Sequence, residues 1–90
     1  MATLQERQLY RERALTALYE TTEGNPLLGI TGRKLRNDLR IPEEDLAAAC
    51  AYLTGEGLIT VDWEPGNKPA MVSLTHQGVR RMEAEERERG

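Results

Sequence analysis

Chain-breaking residues divide this sequence into short pieces, and that division limits the possible folds more than any other feature. Gly24-Asn25-Pro26 ends the first patterned stretch, Pro42 opens another, and Gly55 and Gly57 close it. Glu64-Pro65-Gly66-Asn67-Lys68-Pro69 is a dense run of turn formers. Each piece has room for one helix or one strand. The chain has 90 residues, enough for one core and not two. A single domain is therefore expected over 1–90, with its core at about 10–82 and a charged tail at 83–90.

The pieces read in order as helix, short strand, helix, helix, strand, strand, helix. Thr3 and Glu6 have the spacing of a capping box, which predicts a first helix from Thr3 to about Glu23. Within it Tyr10, Ala14, Ala17 and Leu18 recur at helical spacing, flanked by Leu15 and Tyr19. Gly24 supplies the left-handed stop, with a proline just beyond. Leu27-Leu28-Gly29-Ile30 is a short apolar run between breakers and reads as a brief strand. Thr31 caps a second helix over about Gly32 to Leu39, with Leu35 and Leu39 inward and Arg40-Ile41-Pro42 as the turn out of it.

Pro42 suits the first position of a third helix, where its missing N–H costs nothing. Glu43, Glu44 and Asp45 follow in the first turn, stabilised by the helix dipole. Leu46, Ala49, Cys50 and Leu53 form the i, i+3, i+4, i+7 stripe that meets the core, and the helix ends near Gly55 or Gly57. Leu58–Trp63 and Ala70–Leu74 then read as the two strands of a hairpin. Thr75 caps a last helix whose apolar positions are Val79 and Met82. Beyond Met82 the residues are almost all charged, and the pairs Glu83–Arg87 and Glu85–Arg89 have i, i+4 spacing on a solvated helix end. The core expected from these patterns is Leu15, Leu18, Ile30, Leu35, Leu39, Ile41, Leu46, Leu53, Ile59, Val61, Val72, Leu74 and Val79.

Gly29-Ile30-Thr31-Gly32-Arg33-Lys34-Leu35 leading into Leu39-Arg40-Ile41-Pro42, Leu46 to Leu53 leading into Gly57-Leu58-Ile59, and Ser73-Leu74-Thr75-His76-Gln77-Gly78 together resemble the winged helix-turn-helix family. The resemblance covers about Leu15 to Met82 and rests on the joint order and spacing of these segments. It implies a mainly α fold with a small β-hairpin, and a transcription-regulator type of protein that puts its third helix into the DNA major groove. It further implies a possible homodimer through the first and last helices, where Leu4, Leu9 and Tyr10 precede the main stripe. Those residues could equally fold back on the domain.

The residues of the third helix speak against base reading. Between Glu43 and Glu56 there are four acids and no lysine, arginine, asparagine or glutamine. With its stripe inward, the helix turns Glu44, Ala48, Ala51 and Gly55 outward, with Tyr52 to one side. These five residues are the candidate protein-contact surface, open to a partner or a second copy unless the arm around Leu4 and Leu9 covers it. Arg33, Lys34, Arg36, Arg40 and the hairpin's Lys68 are the candidate DNA-backbone contacts. The four on the second helix could also face the acidic start of the third helix, a partner's acids, or simply water. The balance favours a non-catalytic binding module that contacts protein through the third helix; the alternative is a DNA-binding transcriptional regulator.

Nothing in the sequence composes a catalytic or metal site. With one cysteine (Cys50) and one histidine (His76), neither a disulfide framework nor a cysteine–histidine cluster can form. Cys50 reads as a small buried apolar residue and His76 as a surface residue beside a cap. The glycines are spread among turns and helix ends and do not form a phosphate loop, so no cofactor is expected. Trp63 reads as a lid on a small core in a chain with no phenylalanine, in preference to a binding aromatic. The net charge of −3 gives no general attraction to nucleic acid. No apolar run approaches the roughly 20 residues that span a bilayer, and the first residues lack a signal-peptide pattern, so a cytoplasmic protein with no membrane partner is expected.

Overall fold

The computed structural model describes residues 2–89, the Arg89 side chain excepted. The expected domain limits at Met1 and Gly90 lie outside the described residues. The described residues form four helices and a three-stranded antiparallel sheet: α1 (Leu4–Thr22), β1 (Ile30–Thr31), α2 (Gly32–Leu39), α3 (Glu43–Gly55), β2 (Ile59–Glu64), β3 (Lys68–Leu74) and α4 (His76–Arg89). This is the element order expected from the sequence. The strands lie in the order β1-β3-β2, so the hairpin's second strand is central and the two-residue β1 is an edge.

Local chemistry sets the helix starts. Thr3 and Glu6 close the capping box, with Thr3 N–H donating to Glu6 Oε1 at 3.0 Å and Glu6 N–H to Thr3 Oγ1 at 3.1 Å. Thr31 Oγ1 accepts from Lys34 N–H at the start of α2, and Thr75 Oγ1 accepts from Gly78 N–H at the start of α4. Pro42 occupies the cap position before α3, not the first helical position: its ψ is 146°, and its carbonyl accepts from Leu46 N–H. Glu23, together with Gly24, takes the left-handed conformation that ends α1. Arg40 does the same after α2.

Leucines from every layer converge on one core. Leu15, Leu18, Leu35, Leu46, Leu53, Ile59, Val72 and Leu74 are nearly inaccessible, and Ala14, Cys50 and Leu58 are buried with them. Val61 and Val79, expected inside, are partly buried at its margin together with Met82. The segment expected as a strand over Leu27–Ile30 is instead the end of a turn followed by irregular chain, and only Ile30 is strand. Asn25 Oδ1 accepts from Leu27 N–H and the Asn25 carbonyl from Leu28 N–H, which removes those donors from strand pairing. Leu27 is 91% exposed and Leu28 51%, and pairing starts at Ile30 opposite Val72.

The hairpin turn is also shorter than the run of turn formers implies. Glu64 pairs with Lys68 across a loop of Pro65, Gly66 and Asn67, the last two with φ of 88° and 58°. A register shift follows Asp62: Asp62 faces Met71 while Trp63 faces Pro69, so Ala70 is the extra residue of a bulge. Two glycines let helices approach the hairpin backbone. A Cβ on Gly32 would lie 1.8 Å from the Pro69 carbonyl oxygen, and one on Gly78 would lie 2.1 Å from that of Leu58. Thus α2 abuts the tip end of the hairpin and α4 abuts its base.

At the charged end of the chain, α4 continues to Arg89. Glu83 accepts from the Tyr19 hydroxyl at 3.0 Å and does not pair with Arg87. Arg81 bridges Glu85 on its own helix and Glu12 on α1. The expected Glu85–Arg89 pair involves a side chain outside the described residues.

Candidate functional site

The outward side of α3 is open. Glu44, Ala48, Ala51, Tyr52 and Gly55 are all exposed, and a Cβ added at Gly55 would meet nothing within 4 Å. Burial of Leu46, Ala49, Cys50 and Leu53 fixes this orientation, because residues three and four apart share a helix face. Leu4 and Leu9 do not cover the surface, being 66% and 54% exposed.

Flanking elements contribute two features that one-dimensional patterning does not reveal. On one side, α1 runs beside α3 and brings Arg7 and Arg11 to a shallow groove with Asp45 and Ala48. The Arg11 guanidinium lies 3.5 Å from the centroid of the Tyr52 ring, a cation–π contact between α1 and α3. Tyr52 remains 45% exposed beneath it. On the other side, the hairpin turn brings Gly66, Asn67 and Lys68 against Glu43, Glu44 and Ala47. The α3 surface is therefore a strip of small residues between an Arg–Tyr stack and a turn, with carboxylates at its start.

Trp63 is not the lid that the scarcity of aromatics suggests. It is 43% exposed and lies outside the group of residues packed against the core. Its cross-strand partner Pro69 is buried where α2 abuts the hairpin, but the indole itself has only partial cover.

The five basic candidates do not form one surface: Arg33, Arg36 and Lys68 line one cleft, while Lys34 and Arg40 lie outside it. Lys34 pairs with Asp38 at 2.9 Å on α2. Arg36 and Lys68 both approach Glu43 Oε1, each at 3.8 Å. Of the α2 cations only Arg36 faces the acidic start of α3. Arg33 and Arg40 are exposed and form no ion pair among the described residues. The elements considered for a homodimer, α1 and α4, are joined to each other within the chain through Glu12–Arg81 and Tyr19–Glu83.

Three titrating groups are displaced from their ordinary values. Hydrogen bonds from Thr3, chiefly its backbone N–H, lower Glu6. The hydrogen bond to Glu83 raises Tyr19. Burial raises the Cys50 thiol to about 11, as expected for an apolar packing residue that is hard to ionise. Among the described residues, no group of three or more His, Cys, Asp or Glu side chains could hold a metal ion, and no helix is long and apolar enough to cross a membrane. No protein-family model, no curated protein and no solved structure matches the chain.

Proposed function

We propose that this chain is a non-catalytic winged-helix binding module of the transcription-regulator type, which meets a protein through the outward side of α3. The order α1-β1-α2-α3-β2-β3-α4, with the hairpin turn beside the start of α3, supports the winged-helix reading. The observation that carries the functional reading is the exposure of Glu44, Ala48, Ala51, Tyr52 and Gly55 as one continuous surface without a basic side chain of its own helix. Small residues let a partner backbone come close, and a half-exposed tyrosine is a residue type enriched at protein interfaces.

The competing reading is a DNA-binding regulator that touches the phosphate backbone through Arg33, Lys34, Arg36, Arg40 and Lys68. It draws on the resemblance. Against it, Glu43, Glu44 and Asp45 occupy the helix end that would approach the duplex. Three of the five cations also face acids of the same chain.

A photo-cross-linking amino acid placed at Ala51, and separately at Arg40, tests the choice in cells that produce the protein. Protein adducts at position 51, abolished by Ala48→Arg, support α3 as the contact surface. Nucleic-acid adducts at position 40 with no protein adduct at 51 overturn it.

A further inference from the structure

Two elements bring three cations to one cleft. Arg33 and Arg36 project from α2 and Lys68 from the start of β3, around a space of about 250 Å³ whose lining includes Leu46 and Pro69. Two acids share that lining, Glu43 at the start of α3 and Glu64 opposite Lys68 on the hairpin. Three cations less two carboxylates leave one net positive charge in the cleft.

The pairing inside the cleft is incomplete. Glu43 Oε1 is 3.8 Å from both Arg36 Nη1 and Lys68 Nζ. A charge-assisted hydrogen bond spans about 2.7–2.9 Å, so this oxygen sits between two cations without hydrogen-bonding either. The donors of both remain available, as do those of Arg33, which has no ion pair among the described residues.

We propose that this cleft binds a compact oxyanion of the phosphate class, held by Arg33, Arg36 and Lys68, with Glu43 as the internal counter-ion that the ligand displaces. The proposal is independent of the α3 contact surface. A small anion fits better than a polyanion for two reasons. The cleft, at about 250 Å³, is smaller than ordinary small-molecule sites, which start at about 300 Å³. Next to Glu43, α3 also presents Glu44 and Asp45, which would repel the neighbouring phosphates of a strand.

The test is a titration of the 90-residue chain with inorganic phosphate at constant ionic strength, followed by amide and arginine side-chain NMR, with chloride as the control anion. Saturable shifts at Gly32, Arg33, Arg36 and Lys68 are expected with phosphate and not with chloride. Arg33→Ala, an exposed position, removes them. Glu43→Gln tightens binding about fivefold, since one unit charge at 4 Å in water is worth about 1 kcal/mol. Equal shifts with chloride, unchanged affinity in Glu43→Gln, or binding that survives Arg33→Ala overturns the proposal. So does a short DNA duplex that occupies the same residues and that phosphate cannot displace.

Discussion

Gly78→Ala should destabilise the protein even though alanine is the better helix former. Gly78 lies in the first turn of α4, where the Thr75 cap accepts its N–H. A Cβ there would fall 2.1 Å from the Leu58 carbonyl oxygen and 3.1 Å from Leu74 Cδ2. That carbonyl cannot simply move aside, because it accepts from Thr75 N–H at 3.0 Å. Relief therefore requires about 1 Å of backbone displacement, and it strains the bond that joins the base of the hairpin to α4. Overpacking of this kind costs about 1–3 kcal/mol, and loss of the hydrogen bond about 1 more. The gain from replacing glycine in a helix offsets roughly 1 kcal/mol of this. The net loss is about 1–3 kcal/mol, or roughly 5–20 °C in Tm for a domain of this size.

Gly55→Ala is the matched control, since its Cβ would point into open space at the end of α3. It should raise stability by up to about 1 kcal/mol. Thermal and urea unfolding followed by far-UV circular dichroism measures both variants. If Gly78→Ala were as stable as the parent while Gly55→Ala behaved as expected, α4 could not rest on the Leu58 backbone as described.

The capping box of α1 and the buried thiol make two further predictions. The Glu6 carboxyl, lowered mainly by the Thr3 backbone N–H, should titrate by NMR below ordinary glutamates. Thr3→Ala, which keeps that N–H, should reduce the depression without abolishing it, and an ordinary value in the parent would refute the box. Because the folded-state value is depressed, the contribution is present at neutral pH and lost as pH falls through that value. Cys50, raised to about 11 by burial, should react with a disulfide reagent at pH 8 only as fast as the core opens. Its stabilising contribution is intact below the ordinary thiol range and declines as pH rises toward 11, the folded-state value. Reaction as fast as that of the unfolded chain would refute its burial.

Most of the fold was legible because its signals are local. The Thr3–Glu6 spacing, the caps at Thr31 and Thr75, and the stripe of Leu46, Ala49, Cys50 and Leu53 each specify structure within a few residues. Leu27-Leu28 misled because an apolar run carries no sign of where its backbone N–H groups will bond, and Asn25 takes them into a turn. The bulge at Ala70 is likewise a property of pairing between two strands, invisible in either one. In the candidate site the outward strip of α3 followed from helical period alone. Its neighbours did not. Arg11 over Tyr52 depends on how α1 crosses α3, and Glu43 between Arg36 and Lys68 depends on where the hairpin turn comes to rest. Trp63 was misjudged because scarcity of aromatics says nothing about whether a given indole packs on the core.

The brevity of α2 has a consequence for how the molecule assembles. Eight residues are well under the roughly 12–15 that a lone helix needs to persist in water. Its last carbonyl, Leu39 O, receives a 2.6 Å hydrogen bond from Arg13, a side chain 26 positions upstream. This helix thus has no autonomy: an excised peptide spanning it would be coil, and its shape is borrowed from the longer helix against which it docks. The arginines it displays take their arrangement in space from that docking, so their geometry is a product of tertiary packing and not an inheritance of the local sequence.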